Sequence, residues 1–256
     1  MIPEGYTFTI LRDPVDTFES FFSYMNVDKK LGMDINEFAW EFATKADKMS
    51  ADITRGRNRQ LYDLGLDKDE MDSDENVKTK VDELDNEFDQ VLILEQLDEG
   101  LVIMADRLCW PLEEVRYVRL NSRTEAYVSK VTKESRNILT DWLWADYVLY
   151  NHFLKKHKLT VMNFGAQKTI REVGRLRSIN LDLSDQCSSN VSDSVQHAEK
   201  VFRPSNMKIK PVVPQKSKRW CRPFFKTEIA YTRVIRRLSR LLVKVKQLAT
   251  SNRTIS

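Results

Sequence analysis

Apolar and polar positions follow two different periods along the chain, and the changes of period mark the elements. Residues 6–11, Tyr-Thr-Phe-Thr-Ile-Leu, are aromatic and β-branched types that predict a buried strand. Asp13 then suits an N-cap, and Pro14 suits the first helical position, where its missing N–H is not needed. Phe18, Phe21, Phe22 and Met25 recur at i, i+3, i+4 and i+7, so a helix follows with one face turned inward. The chain opens with a strand, a tight turn and a helix.

The alternation repeats further on. Val77, Val81, Leu84 and Phe88 mark a helix, and residues 90–94, Gln-Val-Leu-Ile-Leu, predict a second buried strand. Leu97, Leu101, Met104 and Leu108 place another helix directly after it. This pattern predicts an α/β fold with a parallel sheet and helices on its faces. Residues 34–60 read as polar and partly helical, and residues 115–120 predict a short further strand. The longest predicted helix is 132–156, with Ile138, Trp142, Ala145, Leu149 and Phe153 down one side, and another follows at 166–178. His152 and His157 fall at the end of the longest helix, where a helix-dipole role is expected.

From 181 to 223 the period gives way to Ser, Lys and Pro, including Pro204, Pro211, Pro214 and Pro223, which reads as a loop or linker. The chain closes with a basic amphipathic helix predicted at about 225–249. Ile235, Leu238, Leu242 and Val245 form its apolar stripe, and Arg233, Arg236, Arg237, Arg240 and Lys244 most of its charge. Three parts are therefore expected: residues 1–180, 181–223 and 224–256.

The 256 residues, 41% of them hydrophobic, are enough for a sizeable core. No run of 18 apolar residues is present, and no basic-then-apolar leader opens the chain. The net charge of +3 conceals a division: residues 200–256 carry 16 Lys/Arg and one acid, Glu228, against 25 basic and 37 acidic residues elsewhere. The tail either meets the acidic body or meets an anionic partner such as membrane headgroups. Nucleic acid is not expected as a partner, because only Trp220 and Phe224/Phe225 interleave with the charges and the acidic body opposes it. Cys109, Cys187 and Cys221 lack CxxC spacing, and with His152, His157 and His197 they show no metal-ligand pattern. Cys187 and Cys221 could form one bridge in an oxidising compartment.

Candidate chemistry sits in the opening unit. An arginine at the carboxyl end of a parallel strand, here Arg12, stands where α/β sheets bind ligands, and its guanidinium matches phosphate oxygens. Ser20 lies about two turns into the next helix, on the face opposite the phenylalanines together with Asp16 and Ser23. The two read as a candidate two-point phosphate clamp. The plainer alternative is that Arg12 pairs with Asp13 or Asp16 and Ser20 is solvated.

The stretch Thr-Ile-Leu-Arg-Asp-Pro-Val-Asp-Thr-Phe-Glu-Ser-Phe-Phe-Ser-Tyr-Met (9–25) resembles the 3′-phosphate-binding segment of Golgi carbohydrate sulfotransferases. The chain as a whole most resembles the galactose-3-O-sulfotransferase family. Residues 57–67, 87–123, 139–153 and 221–232 resemble further family segments, although Lys226-Thr227-Glu228 lacks the family's proline. The resemblance implies a P-loop NTPase-like three-layer sulfotransferase fold. It implies 3′-phosphoadenosine-5′-phosphosulfate (PAPS) as donor, with Arg12 and Ser20 on its 3′-phosphate and no metal. It also implies a galactose-containing glycolipid or glycan acceptor and a place in the Golgi. Arg55, Arg57 and Arg59 are candidate contacts to acceptor or nucleotide, with a solvated loop as the plainer alternative. Asp63 is expected as a turn residue rather than a base. Asn190 and Asn252 stand in glycosylation sequons.

The family's second cofactor element, a Lys-Thr-Gly-Ser-Ser-Thr type loop on the 5′-phosphosulfate, has no counterpart among the seven glycines of this sequence. Residues 1–14 resemble an internal family segment. The expectation is therefore a C-terminal part of such an enzyme, with the phosphosulfate-loop βα unit missing and the catalytic residues upstream of Met1. A truncated, inactive remnant or binding module is the rival expectation.

Overall fold

The computed structural model describes residues 5–41, 56–119, 128–189, 213–214, 219–225 and 231–241. Strand β1, Phe8–Leu11, pairs in parallel with strand β2, Gln90–Ile93, with Phe8 opposite Gln90 and Leu11 opposite Ile93. A parallel pair requires a long crossover. Here it is helical: α1 (Pro14–Tyr24), α2 (Val27–Leu31), α3 (Ile35–Glu41), α4 (Arg59–Asp63) and α5 (Asp74–Glu87). After β2 come α6 (Leu97–Arg107), α7 (Lys133–Trp142), α8 (Trp144–Phe164) and α9 (Ala166–Cys187). The described protein is a mostly helical α/β fold around a small parallel sheet.

Helix α1 starts as its sequence dictates. Asp13 accepts the Asp16 N–H at 3.0 Å, and Pro14 occupies the first turn. Its inner face, Val15, Phe18 and Phe22, joins Val27, Ile35, Phe38, Leu139, Trp142 and Leu143 in one core cluster. The Phe18 ring lies 4.9 Å from Trp142, edge-on. A second cluster covers one face of the sheet: Leu11, Val91 and Ile93 pack with Val77, Val81 and Leu84 of α5 and with Ala145, Leu149 and Phe153 of α8. Leu92 points to the opposite face and meets α6 at Gly100, where an added Cβ would stand 2.6 Å from Leu92 Cδ2. Helices therefore lie on both faces of β2.

Four expectations are corrected. The helix predicted at 132–156 is two helices, bent at Leu143 (φ −98°, ψ 26°). The bend lets Leu139, Trp142 and Leu143 enter the phenylalanine cluster while Ala145 and Leu149 face the sheet. The strand predicted at 115–120 is a 3₁₀ turn, Leu112–Val115, followed by extended chain whose Tyr117 N–H donates to Asn180 Oδ1 at 2.9 Å instead of joining a ladder. His152 and His157 lie inside α8, which continues to Phe164. His152 Nε2 stands 3.3 Å from Asp85 Oδ1, and His157 is buried, which pulls its imidazole below the usual range. The helix begun at 166 runs across residue 180 to Cys187, because Leu183 and Cys187 are buried with Cys221.

Cys187 and Cys221 form a disulfide, Cα–Cα 5.4 Å, joining α9 to the 3₁₀ turn Arg219–Phe225. Ser188–Ser189 pairs antiparallel with Val213–Pro214 beside it. Of the terminal helix expected at 225–249, the described part is helical over 231–241.

Candidate anion site at the strand ends

The residue that follows β1 is Arg12, and its backbone is gripped from α4. Gln60 Oε1 accepts the Arg12 N–H at 2.9 Å, and Gln60 Nε2 donates to the Arg12 carbonyl at 2.9 Å. Gln60 is placed in turn by Asp146 of α8. The Asp146 carboxylate accepts the Gln60 N–H at 3.1 Å and the Leu61 N–H at 2.9 Å, capping the start of α4. Asn58 Oδ1 accepts the Asp146 N–H at 3.2 Å. Asp146 is 2% exposed, and burial pushes its carboxyl up to about 6, against the downward pull of the Leu61 and Gln60 donors.

The half-buried Arg12 side chain makes no hydrogen bond or ion pair among the described residues. Its neighbouring carboxylates are engaged elsewhere. Arg136 Nη1 donates to Asp13 Oδ1 at 3.0 Å, and Arg136 Nη2 donates to Asp16 Oδ1. Tyr147 Oη donates to Asp13 Oδ2 at 3.1 Å. Glu95, just past β2, accepts the Asp13 N–H at 2.9 Å and the Tyr150 hydroxyl at 3.2 Å. Burial, with Glu95 and Asp13 nearby, raises the Tyr150 phenol. A guanidinium without a counter-charge at the carboxyl end of a strand is a donor fork for an anion.

Ser20 is half exposed on α1 and likewise has no partner among the described residues. One turn earlier on the same side, Thr17 Oγ1 is shielded from solvent and unpartnered. The other two members of the expected polar face are committed: Asp16 to Arg136, and Ser23, whose hydroxyl donates to Glu19 Oε1 at 3.2 Å.

The loop arginines divide. Arg57 Nε donates to the Trp142 carbonyl at 3.2 Å, and its Nη2 stands 3.2 Å from Asp72 Oδ1. Arg59 pairs with Asp63 at 2.8 Å and lies over the Tyr62 ring. Arg55, Asn190 and Asn252 lie outside the described residues. Among the described residues no group of His, Cys, Asp and Glu is arranged to hold a metal, and no helix is long and apolar enough to cross a membrane.

Comparison with known proteins gives the family of the chain. The sequence model described as Galactose-3-O-sulfotransferase matches residues 1–237. The chain belongs to the galactose-3-O-sulfotransferase family. It is 30% identical to galactosylceramide sulfotransferase of Bos taurus over 257 residues, covering 90% of this chain and 58% of that one. It is 29% identical to the Homo sapiens protein of the same name, covering 90% and 59%. Against galactose-3-O-sulfotransferase 2 of Homo sapiens the identity is 29%, over 72% of this chain and 48% of the relative. The chain thus spans roughly half to three fifths of the length of these relatives. No solved structure matches.

Within this chain, three separated segments meet around Arg12 and Asp13. Residues 57–67 supply Gln60, residues 139–153 supply Asp146, Tyr147 and Tyr150, and residues 87–123 supply Glu95. Sequence reasoning named Arg12 and Ser20 but missed Gln60, Asp146 and Arg136. A signal for Asp146 was present: a lone acid in the apolar run Trp-Leu-Trp-Ala-Asp-Tyr-Val-Leu requires a buried partner.

Proposed function

We propose that this chain serves PAPS-dependent transfer of a sulfuryl group to the 3-hydroxyl of galactose, on galactosylceramide-like glycolipid or galactose-bearing glycan. The observation that supports this is the Arg12 guanidinium and the Ser20 hydroxyl on the following helix, both without a partner among the described residues, with Asp13 and Asp16 engaged by Arg136. In this assignment Arg12 and Ser20 hold the 3′-phosphate of the donor and make no bonds to the transferred group. The sulfur–oxygen bond to the donor's 5′-phosphate breaks as the galactose oxygen attacks, and a base takes the hydroxyl proton. Arg57 and Arg59 support the segment that carries Gln60, and Arg55 is left as the loop's candidate contact to acceptor or nucleotide. The fold assigned is the P-loop NTPase-like three-layer sulfotransferase fold. The compartment assigned is the Golgi lumen, with which the Cys187–Cys221 disulfide accords.

Titrating the full chain with 3′-phosphoadenosine-5′-phosphate tests the assignment. Micromolar binding is expected, lost in Arg12→Ala and weakened in Ser20→Ala, and sulfation of galactosylceramide is then assayed with radiolabelled PAPS. Equal behaviour of wild type and Arg12→Ala would remove the clamp. Binding without transfer would favour a nucleotide-binding module.

A membrane surface is the second partner proposed, met through helix 231–241. Val234, Ile235, Leu238 and Leu241 are 45–60% exposed along one side, and Arg233, Arg236, Arg237 and Arg240 occupy the other. Sedimentation with phosphatidylserine vesicles, reduced by Leu238→Glu and absent with phosphatidylcholine alone, is the expected result. Equal sedimentation of wild type and variant would overturn this partner.

A further inference from the structure

Resting on the assignment of Arg12 to the 3′-phosphate, we infer that Arg136 is a positioning residue that keeps Arg12 available to an anion. Asp13 adjoins Arg12 in the chain, and Asp16 lies in the first turn of α1. Left free, both are natural partners for the Arg12 guanidinium, and both would repel a phosphate approaching it. Arg136 reaches across from α7 and engages the two at once. One guanidinium nitrogen engages Asp13 at 3.0 Å and the other engages Asp16.

The second oxygen of Asp13 is also occupied. Tyr147 holds Asp13 Oδ2, and Asp13 Oδ1 additionally accepts the Asp16 N–H that caps the helix. A planar fork spans two carboxylates in this way, whereas an ammonium is a single point of charge. The Arg136 side chain is 41% exposed, so as an ion pair it contributes little to stability. Its effect is on which charges face the site: with Arg136 present, Arg12 stands beside a triad whose formal charge is −1 rather than −2, with one oxygen of each carboxylate held toward Arg136. Without it, two uncompensated carboxylates adjoin the same cation in the chain.

The test uses the full chain, 3′-phosphoadenosine-5′-phosphate as probe, and circular dichroism to verify folding. Arg136→Gln is expected to weaken binding by about tenfold or more, equivalent to about 1.4 kcal/mol. Adding Asp13→Asn and Asp16→Asn to that variant is expected to restore affinity to within about threefold of wild type. Arg136→Lys is expected to fall between. Unchanged affinity in Arg136→Gln overturns the inference, and so does a loss that the two Asn substitutions fail to rescue, since Arg136 would then be needed for itself. If wild type and Arg12→Ala bind alike, the clamp assignment has failed first. A readout without nucleotide separates the cases: the Arg12 Nε–H signal in nitrogen-15 NMR. It should exchange rapidly with water in wild type and slowly in Arg136→Gln, as Asp13 or Asp16 captures the guanidinium. The same exchange rate in both proteins overturns the positioning role whatever the nucleotide does.

Discussion

The side-chain amide of Gln60 and the backbone of Arg12 hold each other in both directions, N–H to Oε1 and Nε2–H to carbonyl, each at 2.9 Å. The pair extends the hydrogen bonding of β1 one residue past its last ladder position and fixes the backbone that aims Arg12. Gln60→Ala leaves both Arg12 groups without their partner and is expected to cost about 1–3 kcal/mol in urea denaturation. It should also weaken nucleotide binding, although Gln60 is given no contact with the nucleotide. Gln60→Glu keeps the acceptor and loses the donor, so its effect should be intermediate.

Asp146 sets a pH dependence with a definite sign. Its carboxyl is raised by burial from the usual 3.8 to about 6, so between those values the folded protein holds a proton that the unfolded chain has released. Its contribution is therefore intact at low pH and is lost as pH rises from about 4 to about 6, by roughly 3 kcal/mol at most. Comparing Asp146→Asn with wild type by denaturation at pH 4.5 and 7 isolates this, since the variant should lack that falling component.

Arg57 and Arg59 should behave differently when truncated. Arg57→Ala removes a donor from the Trp142 carbonyl and is expected to cost about 1 kcal/mol, with the exposed Asp72 pair adding little. Arg59→Ala loses a surface pair with Asp63 and should change thermal stability by less than about 0.5 kcal/mol. A larger loss of nucleotide affinity in Arg59→Ala than in Arg57→Ala would assign Arg59 to the ligand instead.

The Cys187–Cys221 bridge closes a separation of 34 residues. In the chain-entropy treatment, a bridge of that span stabilises by about 3–4 kcal/mol. Reduction, or Cys187→Ser with Cys221→Ser, should lower the melting temperature. It should also expose residues 219–225 to proteolysis, while leaving the α1 region unaffected.

The parts of the fold legible in the sequence were those encoded locally. Asp13, Pro14 and the phenylalanine spacing announced β1, the turn and α1, and the second strand was announced by its own apolar run. The break at Leu143 was not legible, because the apolar period continues through it. Only the division of the core into two clusters requires the bend. Spacing and resemblance singled out Arg12 and Ser20, whose side chains have no partner among the described residues. Their surroundings were not legible, since Gln60 reaches Arg12 across 48 residues and Arg136 reaches Asp13 across 123. The pairing of Asp13 and Asp16 with a remote arginine, rather than with Arg12, is decided only by tertiary packing.

That remoteness bears on when the strand end takes shape during folding. Tyr147 meets Asp13 across 134 residues, and the crossover between the two strands is itself long. Closing such loops costs entropy before any of their contacts forms, so arrangements built from distant segments assemble late and slowly. Helix α1 can nucleate from its own cap, whereas the scaffold around Arg12 waits for α4, α7 and α8 to dock. Acquisition of nucleotide affinity during refolding should therefore lag behind the recovery of helical circular dichroism. The ligand would serve as a probe of the last step, the docking of the distant segments.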